Sequence, residues 1–394
     1  MPVTITDKKA CFGCTACFAI CPTKAIQMKP DEEGFFYPQV DMDKCIHCDK
    51  CIRACPMKNQ CENNYPLTIY AAKNRDLQIR MVSSSGGVFS ALARYIEQED
   101  GVIYGAAFDE EHNVVHTRAT GNQWVRFCES KYVQSDLNIS FQNVRADLES
   151  GKLVLFSGTP CQIDGLKAFL TQSRVALDNL LMVDIVCHGT PSPTIWREWL
   201  NWKMDGQAVG EIHFRDKKEV GWHKSTLTLE SEGGSVISKE PQNKGVFWKL
   251  FFNHFILKPA CGVCPFANFQ RIGDFTLGDY WGVEHHHPEM DDDRGTSLVM
   301  INSVKAEKVW EKIKDQFEFI EIEKEACLQP NLQSPSQHNP QRDVFWMQFR
   351  KHGFQYASKY IGLLETKGAE KYLLLGKRKM HSLIRRIGKR MHMV

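Results

Sequence analysis

The stretch CFGCTACFAICP, residues 11–22, decides the fold of the N-terminal region because it spaces four cysteines as C-x2-C-x2-C-x3-C-P. The stretch CIHCDKCIRACP, residues 45–56, repeats this spacing. Three thiolates at two-residue intervals can wrap one face of an iron–sulfur cube, whereas the fourth, held in a turn by its proline, points toward the other cube. The repeat therefore predicts a ferredoxin-type domain that holds two 4Fe-4S clusters.

The fourth cysteine of each run is predicted to ligate the other run's cluster. Cluster one is assigned to Cys11, Cys14, Cys17 and Cys55, and cluster two to Cys45, Cys48, Cys51 and Cys21. Paired CxxC groups can instead build redox-inert zinc sites, but zinc takes four ligands per site without a crossing triplet. The spacing therefore favours iron–sulfur clusters. A module of this size buries little apolar surface, so we expect it to unfold when the clusters are lost.

Length and composition restrict the class of protein. The 394 residues exceed what one hydrophobic core usually organises, so several domains are expected. No apolar run approaches the ~20 residues that a membrane-spanning helix needs. The first nine residues lack the order of a secretory signal, which predicts a cytoplasmic protein. In that reducing compartment, 15 cysteines indicate metal binding or thiol chemistry rather than disulfides.

Beyond Pro66, strand-like and helix-like runs alternate. This alternation predicts an α/β or α+β domain with a mixed sheet. Strands are predicted at 34–40, 67–73, 101–108, 153–156, 180–186, 211–215, 225–230 and 297–302, and helices at 88–97 and 163–170. The predicted fold class is a small ferredoxin-like domain, a mixed-sheet domain and a helical C-terminal tail, with boundaries at 1–62, 63–329 and 330–394.

The run from Ser83 to Gly87, three serines and two glycines, immediately precedes a predicted helix. Such a loop exposes backbone N–H groups at the positive end of a helix, where a phosphate group binds well. A capping loop without a ligand is an equally good interpretation. The sequence contains no GxGxxG or Walker motif, so an ordinary Rossmann or P-loop site is not predicted.

Four cysteines of the large domain stand in unusual places. Cys161 and Cys187 each follow the C-terminal end of a predicted strand, the edge where open α/β sheets bind ligands. Cys261 and Cys264 form a CxxC motif, so four thiolates are available for a third 4Fe-4S cluster. The spacing also allows buried free cysteines, or Cys161 as a nucleophile before a helix. No motif surrounds the remaining three, Cys61, Cys128 and Cys327.

Seven segments, in this order, resemble the coenzyme F420 hydrogenase/dehydrogenase beta-subunit family. They are SSSGGVFSAL (83–92), SKYVQSD (130–136), LFSGTPCQIDGLKAFL (155–170), VDIVCHGTPSP (183–193), HFRDKKEVGW (213–222), CGVCPFAN (261–268) and GDFTLGDYWG (273–282). The resemblance runs from about residue 10 to residue 302 and includes the N-terminal ferredoxin domain that many members carry. It implies a flavin, usually FAD, and one 4Fe-4S cluster inside the large domain.

Carried over residue by residue, the resemblance assigns the ligands of that third cluster to Cys161, Cys187, Cys261 and Cys264. It assigns the flavin site to Ser85, Gly86, Gly87, Ser130, Lys131, Tyr132, Thr159 and Gln162. The helix start at Gly86-Gly87 suits a diphosphate, and Lys131 is expected to offset negative charge on the reduced flavin. Asp274 and Asp279 either order this region through hydrogen bonds or belong to a plain turn.

The resemblance implies an iron–sulfur flavoprotein oxidoreductase, in which clusters carry single electrons and the flavin pairs them for a small substrate or coenzyme F420. The alternative is an electron-transfer subunit for a separate partner enzyme. A role in surface-polysaccharide biosynthesis, with structural clusters, is a third interpretation. The expected partners are a ferredoxin or an oxidoreductase subunit and a small-molecule acceptor; nucleic acid is not expected.

The basic residues are concentrated at the C-terminus. Residues 366–394 contain nine Lys or Arg against one acid, a charge of +8, so the total of +2 leaves −6 for the rest. Apolar side chains recur there at helical spacing, at Met380, Leu383, Ile384, Ile387 and Met391. Two interpretations are open: peripheral contact with an anionic membrane surface, or a solvated helix that packs one stripe on the body.

Overall fold

The computed structural model describes residues 2–366, 371–378 and 380. Its N-terminal module consists of α1 (Ala16–Ala19), β1 (Ile26–Pro30), β2 (Phe36–Val40) and α2 (Lys50–Arg53). The two strands form an antiparallel hairpin between the cysteine runs. Thr15 and Asp49, each four residues after the first cysteine of its run, both adopt the left-handed conformation, with φ of 63° and 58°. The backbone therefore repeats together with the sequence.

The rest of the chain alternates strands and helices. Its first half contains β3 (Thr68–Asn74), α3 (Leu77–Met81), α4 (Val88–Gln98), β4 (Val102–Phe108), β5 (Val114–Ala119), α5 (Ser140–Glu149), β6 (Val154–Gly158), α6 (Pro160–Gln172), β7 (Leu180–Ile185) and α7 (Pro193–Met204). Its second half contains β8 (Val209–Asp216), β9 (Thr226–Ser231), β10 (Val236–Pro241), α8 (Val246–Phe252), β11 (Phe275–Asp279), α9 (Val283–His286), β12 (Ser297–Ile301), α10 (Val304–Ile313), β13 (Phe317–Glu321), α11 (Lys324–Cys327) and α12 (Arg342–Tyr360).

Eight of these strands form one mixed sheet in the order β13-β3-β12-β11-β7-β6-β4-β5. The central strands β4, β6, β7 and β11 run parallel to one another. The flanking strands pair antiparallel, and β8, β9 and β10 form a separate antiparallel sheet. The predicted fold class is confirmed. The C-terminal ends of β6, β7 and β11 lie at one edge, where open α/β sheets bind ligands.

Helices cover both faces of the large sheet. Helices α4 and α10 bury Leu92 and Trp310 on one face, and α5 and α6 bury Phe141 and Leu166 on the other. The hydrophobic core on this second face also contains Ala16 and Ala54 of the N-terminal module, both with 0% of their surface exposed. The ferredoxin module therefore shares a hydrophobic core with the large domain.

The turn of the ferredoxin hairpin inserts into the large domain. Glu33 forms a buried ion pair with Arg342, the first residue of α12, and its carbonyl accepts a hydrogen bond from the Ser192 hydroxyl at 2.5 Å. Gly34 has a φ of 85°, and a Cβ there would lie 2.2 Å from the Thr194 hydroxyl oxygen. Only glycine fits this turn, because the backbone is left-handed and the neighbour is close.

The C-terminal part begins as an integral element of the fold. In α12, Phe345 and Trp346 are buried in the core, and Gly353, with φ 81° and ψ 179°, interrupts the helix. The predicted boundary at residue 330 stays a prediction. Apart from Met380, the predicted basic helix lies outside the described residues. Within the described ranges, no helix has the length and hydropathy required to cross a bilayer.

Candidate functional site

The structure brings the first three cysteines together with Cys55 of the second run. Burial raises the pKa of the Cys14 thiol well above its usual value, and Cys17, Cys11 and Cys55 raise it further. Burial also raises the pKa of Cys17, followed by the effects of Cys11 and Cys55. Four neighbouring, half-buried thiols cannot all ionise without a positive counter-charge, which iron supplies. The donor set therefore fits cluster one, including its crossing ligand.

The predicted ligands of cluster two surround a small cavity near the N-terminus. It is lined by all four thiol residues, Cys21, Cys45, Cys48 and Cys51. The backbone N–H of Ala25 donates to the sulfur of Cys21 at 3.3 Å, and that of Val3 donates to the sulfur of Cys51 at 3.4 Å. Amide hydrogen bonds to sulfur tune iron–sulfur clusters, so this site also fits its predicted group.

The cysteines predicted to bind a third cluster also converge. Cys161 lies in the first turn of α6, Cys187 follows β7, and the CxxC motif follows α8 in the chain. Burial raises the pKa of the Cys187 thiol well above its usual value, and the thiolates of Cys261, Cys161 and Cys264 raise it further. The N–H of Thr190 donates to the sulfur of Cys261 at 3.4 Å. Four neighbouring, half-buried cysteines from three segments fit a 4Fe-4S cluster by the same charge argument.

Arg271 and Asp184 hold this third set in place. Their side chains, 1% and 0% exposed, form an ion pair at 2.8 Å. The guanidinium also donates to the carbonyls of Phe266 and Asn268, just after the CxxC motif, and to the carbonyl of Ile185 near Cys187. Sequence reasoning assigned no functional role to this pair, although both residues lie in or beside the motifs quoted above.

Asp274 and Asp279 order the neighbouring backbone, as one of the two sequence interpretations proposed. The Asp274 carboxylate accepts hydrogen bonds from the N–H of Met182 at 2.9 Å and the hydroxyl of Ser303 at 2.7 Å. Asp279 accepts from the Arg215 guanidinium at 2.8 Å. These contacts connect β11 to the adjacent elements, so the region is more than a plain turn.

Helix α6 joins cluster one to the third set. Cys161 lies in its first turn, and Gly165 lies one turn later. A Cβ at Gly165 would lie only 2.8 Å from the sulfur of Cys14. On the other side, the rings of Phe12 and Phe266, each close in sequence to a cluster cysteine, have centroids 5.6 Å apart. The two cysteine sets are therefore about one helical turn, ~5.4 Å, apart along α6.

A cavity of about 880 Å³ opens where β6, β7 and β11 end. Its size lies within the range of ~300–1,000 Å³ that is typical of ligand sites. Seven of the eight residues predicted for the flavin line it, namely Ser85, Gly87, Ser130, Lys131, Tyr132, Thr159 and Gln162. The third-set cysteines Cys161 and Cys187 line it as well. The eighth predicted residue, Gly86, is not part of the lining, although its chain neighbours Ser85 and Gly87 are.

The serine–glycine loop is fixed by distant partners. The Ser85 hydroxyl donates to the carbonyl of Thr296 at 2.8 Å, and the Gly86 N–H donates to the hydroxyl of Ser297 at 2.9 Å. A Cβ at Gly86 would lie 2.2 Å from the carbonyl oxygen of Ala72, so this position requires glycine. Gly87 is the N-cap of α4, and no described side chain caps this helix. The first amides of α4 thus suit an anionic group.

Lys131 holds the turn before it. Its ammonium donates to the carbonyls of Arg126, Cys128 and Glu129 at 2.8, 2.7 and 3.1 Å. Burial lowers its pKa to about 8, and the carboxylate of Glu129 partly opposes this effect. All three donors of the ammonium are therefore committed to backbone oxygens. Its predicted influence on a flavin stays a prediction, and it would act through charge rather than a hydrogen bond.

Thr159 and Gln162 cap the start of α6 while they line the cavity. The N–H of Thr159 donates to the side-chain oxygen of Gln162 at 2.9 Å, and the Gln162 amide donates to the hydroxyl of Ser135 at 2.9 Å. The Thr159 hydroxyl lies 3.2 Å from the sulfur of Cys161. These contacts position the first cysteine of the third set.

Sequence reasoning assigned no role to several polar and aromatic groups that line the cavity or contact its lining. The guanidinium of Arg215 lies over the ring of Trp281, 5.2 Å from its centroid, and Trp281 stacks on Trp222 at 5.0 Å. Lys217 donates to the carbonyl of Ser85 at 3.2 Å, and burial lowers its pKa to about 7. These residues lie in the quoted motifs, but their spacing alone does not distinguish them from core residues.

The three cysteines outside the predicted clusters contact other groups. Cys61 donates its N–H to the carboxylate of Asp164 at 3.2 Å, the sulfur of Cys128 lies 3.4 Å from the hydroxyl of Ser90, and the thiol of Cys327 donates to the carbonyl of Lys324 at 3.2 Å. Nothing in these contacts assigns them to a cluster.

Several proteins of Methanocaldococcus jannaschii are similar to a short part of this chain. An uncharacterized ferredoxin is 35% identical over 52 residues, 13% of this chain and 66% of that protein. An uncharacterized polyferredoxin-like protein is 34% identical over 65 residues, 14% of this chain and 38% of that protein. The pyruvate synthase subunit PorD is 40% identical over 53 residues, 14% of this chain and 57% of that protein. The chain thus spans less than two thirds of each relative.

A chain from the F420-reducing NiFe hydrogenase complex of Methanosarcina barkeri superimposes with a TM-score of 0.46 and 19% sequence identity, covering 78% of this chain and 96% of that chain. The family described as 4Fe-4S dicluster domain matches residues 10–59. The family described as the C terminus of the coenzyme F420 hydrogenase/dehydrogenase beta subunit matches residues 151–325. Residues 151–325 are therefore similar to the C terminus of the coenzyme F420 hydrogenase/dehydrogenase beta subunit, and residues 10–59 to a 4Fe-4S dicluster domain.

Proposed function

We propose that this protein is a cytoplasmic flavin-dependent oxidoreductase that passes single electrons through three 4Fe-4S clusters to or from FAD, which exchanges electron pairs with a small substrate or coenzyme F420. One observation carries the proposal. A single cavity is lined at once by cysteines of the third set and by the open start of α4. A redox group bound there would touch the cluster ligands directly, without an intervening layer of protein.

Each part of the cavity has a role in this proposal. Cys161, Cys187, Cys261 and Cys264 hold the third cluster beside cluster one. The first amides of α4 bind the diphosphate of FAD, because a helix N-terminus favours negative charge. The buried cations Lys131 and Arg215 stabilise the negative charge that the flavin gains on reduction. Bound FAD supplies the conversion between one-electron and two-electron chemistry.

The cavity favours an enzyme over a pure electron-transfer subunit. Its volume of about 880 Å³ offers a concave, partly open site for a small substrate. The cavity is lined by Lys224, Lys244 and Trp281, among others. Trp281 is 40% exposed. An electron-transfer subunit would instead present its flavin edge to a partner through an apolar surface.

An electron donor is expected to dock beside cluster two. Ile46, the residue after Cys45, is 62% exposed, and Met42 is 55% exposed. Apolar side chains beside a cluster ligand suit brief contact with a ferredoxin or with an oxidoreductase subunit. This surface serves both candidate functions, since each needs an external electron partner.

Cofactor content tests the proposal directly. Protein purified without oxygen is expected to contain about twelve irons, a similar amount of sulfide and one FAD per chain, because three 4Fe-4S clusters require twelve irons. Iron, sulfide and flavin analyses, with reduction followed by EPR and visible spectra, give these numbers. About eight irons without flavin would restrict the protein to its ferredoxin module and contradict the proposal.

Replacement of Cys261 by serine is expected to remove the third cluster alone. The variant loses one of four thiolates, so iron content falls from about twelve to about eight per chain while FAD is retained. The matched control is Cys327→Ser, which alters a buried thiol that contacts the carbonyl of Lys324. Twelve irons in Cys261→Ser, or an equal loss in the control, would exclude Cys261 as a ligand.

A further inference from the structure

Lys258 is a buried cation located between the thiols of cluster one and those of the third set. Its surface is 1% exposed. The ammonium donates to the carbonyl of Phe36 at 3.1 Å and lies 3.7 Å from the ring centroid of Tyr37. A Cβ on Gly13, between the first two cysteines of cluster one, would lie 3.4 Å from it. On the other side, the carbonyl of Lys258 accepts the N–H of Cys261, three residues later, at 2.9 Å.

The negative groups around Lys258 are mainly cluster thiolates. Burial lowers the pKa of Lys258 to about 8, whereas Cys11, Cys261, Asp31 and Cys161 raise it. Among the described residues, no carboxylate lies within salt-bridge distance of its ammonium; Asp31 instead pairs with Lys8 at 2.7 Å. A buried charge without an anionic partner is strongly destabilising. The two cysteine sets are therefore the natural counter-charges of Lys258.

We propose that Lys258 is a positioning residue whose charge raises the reduction potentials of cluster one and the third cluster together. A cluster held by four thiolates is anionic, and each added electron makes it more so. A cation between two clusters stabilises their reduced states more than their oxidised states, because Coulomb interactions are strong in a buried site. In each reduction one electron enters one cluster, no bond forms or breaks, and Lys258 keeps its proton.

This inference rests on the proposed function, since it places a cluster at the third set. A purely structural role is the competing explanation: the contacts to Phe36 and Tyr37 also fasten β2 to the large domain. Two neutral variants distinguish the effect of the Lys258 charge from its structural role in holding β2 against the large domain. Lys258→Gln keeps a hydrogen-bond donor for the Phe36 carbonyl, and Lys258→Met keeps the apolar stem. Lys258→Arg keeps the charge and changes the shape.

The experiment is an EPR-monitored redox titration of the full-length holoprotein, with dithionite as reductant and iron content measured on the same samples. Cys261→Ser identifies the signal of the third cluster. At a fixed potential, the neutral variants are expected to lower the reduced-to-oxidised ratio of both clusters about tenfold, which is about 59 mV for a one-electron couple. Lys258→Arg is expected to stay near wild type. Cluster two is expected to change least.

The control is Lys8→Met, which removes one positive charge from the ferredoxin module. Lys8 is 40% exposed and pairs with Asp31 and Glu32 at 2.7 Å. Because solvent screens its charge, we expect no shift in the reduction potential of either cluster. The proposal is overturned if a neutral variant with full iron content has the reduction potentials of wild type. It is also overturned if Lys258→Arg shifts the potentials as much as the neutral variants do. Loss of iron in both neutral variants, but not in the charged variant Lys258→Arg, supports the charge role. Loss of iron in all three variants overturns it.

Failure of the proposed function gives a different result. A wild-type protein with about eight irons has no third cluster, and the functional proposal then fails. The potential of cluster one still tests Lys258 in that case, because Cys11 belongs to cluster one.

Discussion

Replacement of Arg271 by methionine is expected to destabilise the protein by about 3–5 kcal/mol and to remove iron from the third site. The reason is that Asp184, with 0% of its side chain exposed, would keep a buried charge without its partner. The loss is a large part of the ~5–15 kcal/mol that stabilises a typical domain. Urea unfolding followed by tryptophan fluorescence, with iron analysis of the folded protein, measures both effects.

Two variants test this explanation. Arg145→Met removes an arginine from the surface pair with Glu149, whose side chains are 44% and 50% exposed, and should leave unfolding unchanged. Asp184→Asn, added to Arg271→Met, removes the unpaired carboxylate and is expected to recover part of the lost stability. An unfolding midpoint of Arg271→Met equal to that of wild type would refute the role of the ion pair.

Replacement of Gly165 by alanine is expected to displace Cys14 and to lower the iron content by about four per chain. The new Cβ would lie 2.8 Å from the sulfur and 2.9 Å from the Cβ of Cys14, so the ferredoxin module must move away from α6. Overpacking of this kind typically costs about 1–3 kcal/mol. In an unhindered helix, replacement of glycine by alanine instead stabilises the protein by about 1 kcal/mol. The sign of the change in unfolding free energy therefore shows whether Cys14 contacts α6.

The matched control for this change is Gly376→Ala. Gly376 is also helical, and a Cβ there would have no described atom within 4 Å. Chemical denaturation and iron analysis should show a neutral or slightly stabilised protein with full iron. A Gly165→Ala variant that behaves like this control would show that α6 and Cys14 are not in close contact in the holoprotein.

The sequence predicted local structure well where the pattern is strong. The predicted strand at 180–186 corresponds to β7 and the predicted helix at 88–97 to α4. It missed five strands, β1, β5, β10, β11 and β13. Strand β5 carries His116 and Arg118, and β11 ends in Gly278 and Asp279, so neither reads as an apolar run. Strand order was also beyond prediction, because pairing depends on residues far apart in the chain.

At the candidate site, too, local features were predicted from the sequence, whereas contacts between distant segments were not. Cysteine spacing predicted which thiols of the ferredoxin module belong together, since each motif is local and its chemistry requires four ligands. For the third set the spacing left alternatives open, and the assignment came from the family resemblance. Spacing did not predict how the serine–glycine loop is held, because the partner of Ser85 is 211 residues away. It also did not distinguish Lys258 from an ordinary surface lysine, since burial between two cysteine sets is a property of the folded chain. Pairings between distant segments therefore required the structure.

The contact of one helix with two cysteine sets has a kinetic consequence. Cys161 lies on α6, and Cys14 of the ferredoxin module packs against Gly165 of the same helix, so the separation of the two cysteine sets is kept as long as this contact persists. Under the proposed function, an electron therefore moves between these two sets without a prior movement of the ferredoxin module. We expect the internal transfer rate to be independent of solvent viscosity, so that encounters with outside donors and acceptors, rather than internal diffusion, limit turnover.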